Sequence, residues 1–460
     1  MRRMINLPAP LIYAAALVWT KGLAMFAVPV LTRHLTPAEF GRLELLASAA
    51  EIGGVIVGAG LVDTLYRFAI GDQAKAQAAR VMGLALTIAL GCFALLALAA
   101  PAIAAALPLP TPPHEVLMLG AAVVLEGVIG VPLGWLRMNG RAQAYTLLVC
   151  GRATLQVGLL ALLLVMDAGV TGVLTAGLVA GLLLAGLLTA LQTRQSGLHF
   201  NPLGSAALLA YGLPLVGSGL AGFVLGTADR WWLAGSVTAA ALGHYGLALK
   251  IGQIVNLLAQ PFELWWYPRR LVVLSGPDGR ARSSEVVMAG MTLLIVAAGA
   301  VSLAAPLIVA LLAPVSYAPA AALIPLITVG VALHLACSMV SAGIYARDTG
   351  WLSLAINSGA AAVAVVFYSL LIPRYGVEGA IAATIIAQTA RCLTLAWLSQ
   401  RTAPLDWRLG RLGLLAIAAV ASVVLGGGPG CVLLAGAAAG SFAGGLVRVP
   451  ARFMPALARA

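Results

Sequence analysis

Residues 81–107 read VMGLALTIALGCFALLALAAPAIAAAL, 27 positions without one charged side chain. As a helix rising 1.5 Å per residue this stretch is about 40 Å long, longer than the roughly 30 Å hydrocarbon core of a bilayer. It is one of many such runs. Hydrophobic residues make up 62% of the 460, charged residues only 9%, and mean hydropathy is +1.02. A soluble domain carries about 25% charged residues. The chain therefore reads as an all-α polytopic membrane protein.

Fourteen stretches have the length and composition of transmembrane helices: 11–32, 43–66, 81–107, 116–136, 145–166, 170–191, 207–228, 237–262, 286–313, 320–345, 351–372, 377–399, 411–427 and 430–447. The last two are short and rich in Gly and Ala. Lys and Arg concentrate in alternate connectors, and cytoplasmic loops are the basic ones. With the N-terminus inside, the inner side holds Arg2, Arg3, Arg67, Lys75, Arg80, Arg137, Arg141, Arg194, Arg269, Arg270, Arg280, Arg282, Arg347, Arg401, Arg408, Arg411, Arg448, Arg452 and Arg459. The outer side keeps Arg33, Arg42, Arg230 and Arg374, and Lys21, Arg152, Lys250 and Arg391 fall within spans. The same partition explains the +12 net charge without nucleic acid, because the inner face meets anionic lipid. The first apolar run follows Arg2 and Arg3 as a signal peptide would. It is too long for one and contains Lys21, so it is expected to remain as the first span. Cys92, Cys150, Cys337, Cys392 and Cys431 are scattered singly, with no spacing for a metal or a disulfide framework.

A weak repeat organises the chain. Leu35-Thr36-Pro37-Ala38-Glu39-Phe40-Gly41 follows the first span, and Val237-Thr238-Ala239-Ala240-Ala241-Leu242-Gly243 follows the seventh. Thr, Ala and Gly recur at an offset of 202. Two parallel repeats with a substrate site between them are a recurring transporter plan. The expected organisation is an N-terminal lobe over 1–199 (spans 1–6), a C-terminal lobe over 200–402 (spans 7–12), and helices 13–14 with a basic tail over 403–460.

Ionisable groups inside spans cost about 2.5–3.5 kcal/mol each at the bilayer centre unless paired or hydrated, so they should face protein or water. Helical spacing groups them into stripes. Span two aligns Glu44, Ser48 and Glu51 at i, i+4 and i+7. Span eight aligns Lys250, Gln253, Asn256, Gln260 and Glu263 on an arc of roughly 140° at 100° per residue. Tyr211, Ser218 and Asp229 line up in span seven, His334, Ser338 and Ser341 in span ten, and Thr384, Gln388 and Arg391 in span twelve. A structural alternative is that these groups only tie helices together, for instance Lys21 with Glu51. Trp231, Trp232, Trp265, Trp266, Tyr267 and Trp351 stand at span ends, as an interfacial aromatic belt would.

At Lys21 and at Pro29-Val30-Leu31-Thr32-Arg33-His34-Leu35-Thr36-Pro37-Ala38-Glu39-Phe40-Gly41 the chain resembles the polysaccharide transporter family. These are the O-antigen type oligosaccharide flippases of the multidrug/oligosaccharidyl-lipid/polysaccharide exporter superfamily. Ala228-Asp229-Arg230-Trp231-Trp232-Leu233 and Gly243-His244-Tyr245-Gly246-Leu247-Ala248-Leu249-Lys250 carry the likeness into the second half. The resemblance implies two pseudo-symmetric six-helix lobes forming a V-shaped central cavity lined by spans one, two, seven and eight, plus two C-terminal helices. It implies movement of undecaprenyl-diphosphate-linked oligosaccharide from the cytoplasmic to the periplasmic leaflet of the bacterial inner membrane by alternating access, in cell-surface polysaccharide and lipopolysaccharide biosynthesis, with both termini cytoplasmic.

Cationic side chains in mid-span suit a diphosphate, whose charge they can solvate in place of water. Lys21, Lys250, Arg152 and Arg391 are the expected diphosphate contacts. Gln253, Asn256 and Gln260 suit sugar hydroxyls, Glu51 balances a lysine or carries a coupling proton, and Asp229 is a further polar group of the cavity. A lipid-linked oligosaccharide and membrane lipids are the expected partners, with a coupling proton or sodium ion and glycan polymerases as further candidates. No cofactor or metal is expected, nor nucleic acid, and no catalytic constellation appears. A multidrug and toxic compound extrusion antiporter is a different outcome, against which the intramembrane cations argue. A membrane glycan polymerase or ligase is another, against which the short outer connectors argue.

Overall fold

A computed structural model of the chain describes residues 9–200, 205–267, 269–345 and 350–443, and all regular structure among them is helical. Arg2, Arg3, Arg347, Arg448, Arg452, Arg459, the end of span fourteen and the basic tail lie outside the described residues. The helices are α1 (Ala9–His34), α2 (Pro37–Gly58), α3 (Leu61–Phe68), α4 (Ala74–Ala106), α5 (Pro113–Met138), α6 (Ala142–Val165), α7 (Gly169–Ser196), α8 (Ala206–Gly226), α9 (Asp229–Ala234), α10 (Ala239–Gly252), α11 (Ile254–Trp266), α12 (Arg270–Ser275), α13 (Gly279–Leu312), α14 (Ala320–Val340), α15 (Ala342–Tyr345), α16 (Gly350–Thr402), α17 (Leu409–Leu425) and α18 (Gly427–Ala443).

Each of the fourteen expected spans falls on one of these helices or on a consecutive pair. Among the described residues, ten helical stretches are long and apolar enough to cross a bilayer. The longest, α16, is two helices: Gly376 at φ 55° and ψ −127° breaks it between the eleventh and twelfth expected spans. Only glycine takes such a backbone conformation at no steric cost. The eighth expected span, read as continuous, is interrupted at Gln253 between α10 and α11. A Cβ on Gly252 would press on Ile327 of α14, so the chain is closely packed at this break.

Local chemistry sets the start of α2. Thr36 accepts a hydrogen bond from the Glu39 amide at 3.3 Å, and the Glu39 carboxylate accepts from the Thr36 amide at 2.8 Å, with Pro37 in the first turn. This capping box satisfies two otherwise orphaned amides at the helix start. Thr238 repeats half of it at the start of α10, accepting from the Ala241 amide at 3.2 Å. The two caps meet. A Cβ on Gly41 would collide with the backbone of Ala239 and Gly243, and one on Gly243 with the backbone of Pro37 and Gly41. The Thr and Gly positions that recur at offset 202 are thus caps and crossing points of two packed helix starts.

The chain divides into two compact units, Met1–Gly243 and His244–Ala460. In the first, α5 packs on α2, α3, α4 and α7, around Leu61, Leu65, Met82, Val131 and Trp135. Here α8 and α9 pack on α2, and so belong with this unit. The repeat boundary expected at 199/200 is a statement about sequence repeats and is a different quantity from this division by packing. In the second unit α14 packs on α13 and α16, and α17 and α18 pack on each other and on α13, where Gly299 lies against Leu434 and Ala419.

Candidate polar sites within the helical bundle

In the first unit the stripe of α2 finds its partners in the corner between α8 and α9. Thr227 Oγ1 donates to Glu51 Oε2 at 2.6 Å, Ser48 Oγ donates to the Thr227 carbonyl at 3.3 Å, and Trp231 Nε1 donates to Ser48 Oγ at 2.9 Å. One turn further along, Arg230 Nε lies 3.5 Å from Glu44 Oε2, and Arg230 Nη1 lies 3.2 Å from Asp229 Oδ1. Glu44 and Asp229 are buried, at 3% and 4% exposure. Asp229 does not continue the Tyr211–Ser218 line expected in span seven, because α8 ends at Gly226 and the chain turns at Thr227. The Lys21–Glu51 pair does not form, since Glu51 is held by Thr227 instead. Lys21 is exposed, and it lies on the side of α1 away from Trp19, which donates to Thr154 of α6 at 3.0 Å.

Two further ion pairs escaped the sequence reading. Arg152, expected at a diphosphate, pairs with Glu126 of α5. Glu126 is the one acidic residue within span four, and no helical spacing links it to Arg152 on the next span. Arg42 Nη2 lies 3.3 Å from Glu115 Oε1, which also accepts from Thr171 Oγ1 at 2.8 Å, tying α2, α5 and α7 together. The arginines assigned to the outer side by charge counting thus include two, Arg42 and Arg230, that are neutralised by buried carboxylates.

In the second unit the stripes of spans ten and twelve face each other. Arg391 Nε donates to Asn357 Oδ1 at 2.9 Å, and its Nη1 approaches His334 Nδ1 at 3.4 Å and Gln388 Oε1 at 3.5 Å. Gln388 Nε2 also reaches His334 Nδ1, at 3.3 Å. Ser338 donates to the Glu263 carboxylate. Arg270, 4% exposed, donates to Ser341 Oγ at 3.2 Å and lies 3.9 Å from the Tyr267 ring centroid. Together these groups line a hollow of about 250 Å³. A larger hollow of about 750 Å³ between α4, α5 and α7 is mostly apolar, with Thr189, Thr193 and Arg194 on its wall, and contains none of the expected diphosphate or cavity residues.

The span-eight stripe is distributed over the break. Lys250 is half-buried near the end of α10, Gln253 is exposed at the interruption, and Asn256 and Gln260 are half-buried on α11, with Asn256 Nδ2 donating to Gln253 Oε1 at 3.3 Å. Of the expected aromatic belt, Trp266 is 2% exposed and belongs to the protein interior. Cys337 and Cys392, read as single, belong to one packed cluster on α14 and α16, and both are free thiols. No cluster of three or more metal-binding side chains occurs among the described residues.

Residues 30–268 match the family described as polysaccharide biosynthesis protein. No curated protein matches the chain. Among solved structures, the chain is similar to lipid II flippase MurJ in an inward closed conformation, with TM-score 0.76 and 10% identity over 95% of this chain and 100% of that one. It is also similar to a multidrug resistance MATE family transporter of the MOP superfamily in an inward-facing conformation, with TM-score 0.63 and 16% identity over 89% and 99%. A MOP superfamily transporter from Pyrococcus furiosus matches with TM-score 0.53 and 16% identity over 87% and 96%. At these identities the likeness is one of fold. The fold is the one these solved transporters have.

Proposed function

The chain belongs to the polysaccharide biosynthesis protein family, and from that premise we propose that it is an alternating-access flippase for undecaprenyl-diphosphate-linked oligosaccharide. The direction is from the cytoplasmic to the periplasmic leaflet of the bacterial inner membrane, and no covalent bond is made or broken. Its fold relatives include a lipid flippase and transporters captured in inward-facing and outward-facing conformations.

The observation that carries this reading is Lys21. It is an exposed ammonium in mid-span that forms no ion pair among the described residues, in a chain that neutralises Arg42, Arg152 and Arg230 with carboxylates. A cation at that depth costs several kcal/mol, and a translocating diphosphate offsets the cost only while cargo is present. Lys250, on α10, is the other lysine that falls within an expected span. Arg152 is committed to Glu126; of the expected contacts Lys21, Lys250 and Arg391, Lys21 and Lys250 are proposed to take the diphosphate. Gln253, Asn256 and Gln260 supply donors and acceptors for sugar hydroxyls.

The test is transport. Cells lacking the protein should accumulate lipid-linked repeat units on the inner leaflet, and Lys250→Ala should fail to relieve this while inserting normally. Loss of one charge-assisted contact to the diphosphate slows translocation by at least about tenfold. Wild-type flux through Lys250→Ala overturns the assignment. Glu51 favours a second reading as an exporter of organic cations: it is an exposed carboxylate in mid-span without an ion-pair partner among the described residues. Efflux of a cationic dye that Glu51→Gln abolishes, with no leaflet accumulation in the deletion strain, is the outcome that selects it.

A further inference from the structure

The 750 Å³ hollow of the first unit, between α4, α5 and α7, is graded along its length. Its wall on α7 runs from Leu182 to Arg194, a rise of about 18 Å, close to the ~15 Å depth of one leaflet's hydrocarbon. The polar groups of the wall, Thr189, Thr193 and Arg194, all lie toward one end of that run, and the rest is apolar. Leu90 and Leu182, 67% and 52% exposed, leave the hollow open along its flank. In a bilayer that flank meets lipid, so the hollow is a groove rather than a chamber. Gly186 stands on its wall, where an added Cβ would meet nothing within 4 Å.

The polar end is the basic end of the unit. Beyond α7, which ends at Ser196, the His199 amide donates to the Ala79 carbonyl at 3.2 Å and lays the departing chain against the start of α4. Segments 61–80, 134–144 and 190–200 gather at this end and hold Arg67, Lys75, Arg80, Arg137, Arg141 and Arg194 against Asp63 and Asp72. Connectors this basic belong to the cytoplasmic side, where anionic lipid is drawn to them. Arg194 is exposed and forms no ion pair among the described residues. A guanidinium holds a phosphate through two parallel hydrogen bonds.

We propose that this groove seats one acyl chain of an anionic glycerophospholipid of the inner leaflet, with its phosphate on Arg194. Depth, polarity and charge agree on that occupant: a run one leaflet long, apolar toward the bilayer centre, with a guanidinium at the headgroup end. A polyprenyl tail would fit the hydrocarbon equally, but its diphosphate brings more charge than the single Arg194 on the wall can meet. The bound phospholipid is a resident of the protein and not its cargo, so this site and the flippase reading fail separately.

The full-length protein, stripped of lipid in a neutral detergent, is titrated with phosphatidylglycerol, phosphatidylethanolamine and undecaprenyl diphosphate, and bound lipids are counted by native mass spectrometry. One phosphatidylglycerol is expected to bind at least about tenfold tighter than phosphatidylethanolamine. Arg194→Gln should erase that difference, and Arg194→Lys should recover part of it. Gly186→Phe fills the groove and should remove the tight site from a protein that still elutes as one species. Equal affinity for the two phospholipids, unchanged phosphatidylglycerol binding in Arg194→Gln, or an intact tight site in folded Gly186→Phe each overturns the proposal. So does undecaprenyl diphosphate binding that outcompetes phosphatidylglycerol and is lost in Gly186→Phe, which makes the groove a seat for the cargo's tail. A wild-type dimer that Gly186→Phe converts to a monomer overturns it too, since the groove is then covered by a second copy. Tight phosphatidylglycerol binding by a protein that translocates no lipid-linked glycan sinks the flippase reading and leaves the groove standing.

Discussion

Arg230 joins two buried carboxylates, Glu44 on α2 and Asp229 beside it in the chain. Removing the guanidinium strands both acids in a region where neither meets water, and breaking a buried ion pair from one side costs about 3–5 kcal/mol. Arg230→Met is therefore expected to lower the apparent melting temperature in detergent sharply, measured by the loss of monodisperse protein after heating, while Arg230→Lys loses less. The α2 side of this cluster was legible: Glu44, Ser48 and Glu51 at i, i+4 and i+7 give one polar stripe. Its partners were not, because Thr227–Trp231 reads as the end of a span followed by a connector, and nothing in a hydropathy pattern says that a connector folds back onto the second helix. Arg391 shows the same limit. Its stripe was readable, whereas Asn357, which receives its Nε at 2.9 Å, stands alone in an apolar span and signals nothing until the helices are packed.

Among the elements, the starts of α2 and α10 carry the firmest sequence signal. Thr followed two residues later by Ala and five residues later by Gly appears at both, and both threonines cap their helices. What the spacing did not disclose is that the two starts cross, with each glycine against the other's backbone. Gly41→Ala must push main chain away from main chain, the overpacking that costs about 1–3 kcal/mol in a filled core, and it should lower thermal stability by that amount in the same heating assay. The break at Gln253 was likewise illegible. Gly252 is an ordinary residue for a membrane helix, and only its closeness to Ile327 reveals that two segments are fitted to α14 rather than one straight rod. The break places the later part of the predicted arc, Asn256 to Glu263, on α11 rather than α10.

For the whole molecule, the order of the apolar helical segments was legible in hydropathy alone, because every apolar run of about 20 residues has to hide its backbone polar groups within itself, whereas ten rather than fourteen stretches among the described residues have the length and apolarity of a full span. Charge asymmetry adds a direction. Ser275, exposed at the end of α12 in the most basic connector, is expected on the cytoplasmic side, and Ser236, exposed after α9, on the other. In a background without the five native cysteines, Ser236→Cys should react with an impermeant maleimide in intact spheroplasts and Ser275→Cys only after permeabilisation; the reverse pattern inverts the topology. Fold assignment survives either outcome, since helices pack identically whichever face is inside. The contact of Gly41 with Gly243 bears on inheritance in a way that the ion pairs do not. A clash against a side chain can be relieved by trimming that side chain, but carbonyl and amide atoms offer nothing to trim. A variant at either position consequently has no second-site suppressor at its neighbour, and the pair is frozen jointly although the two glycines stand 202 residues apart in the gene product.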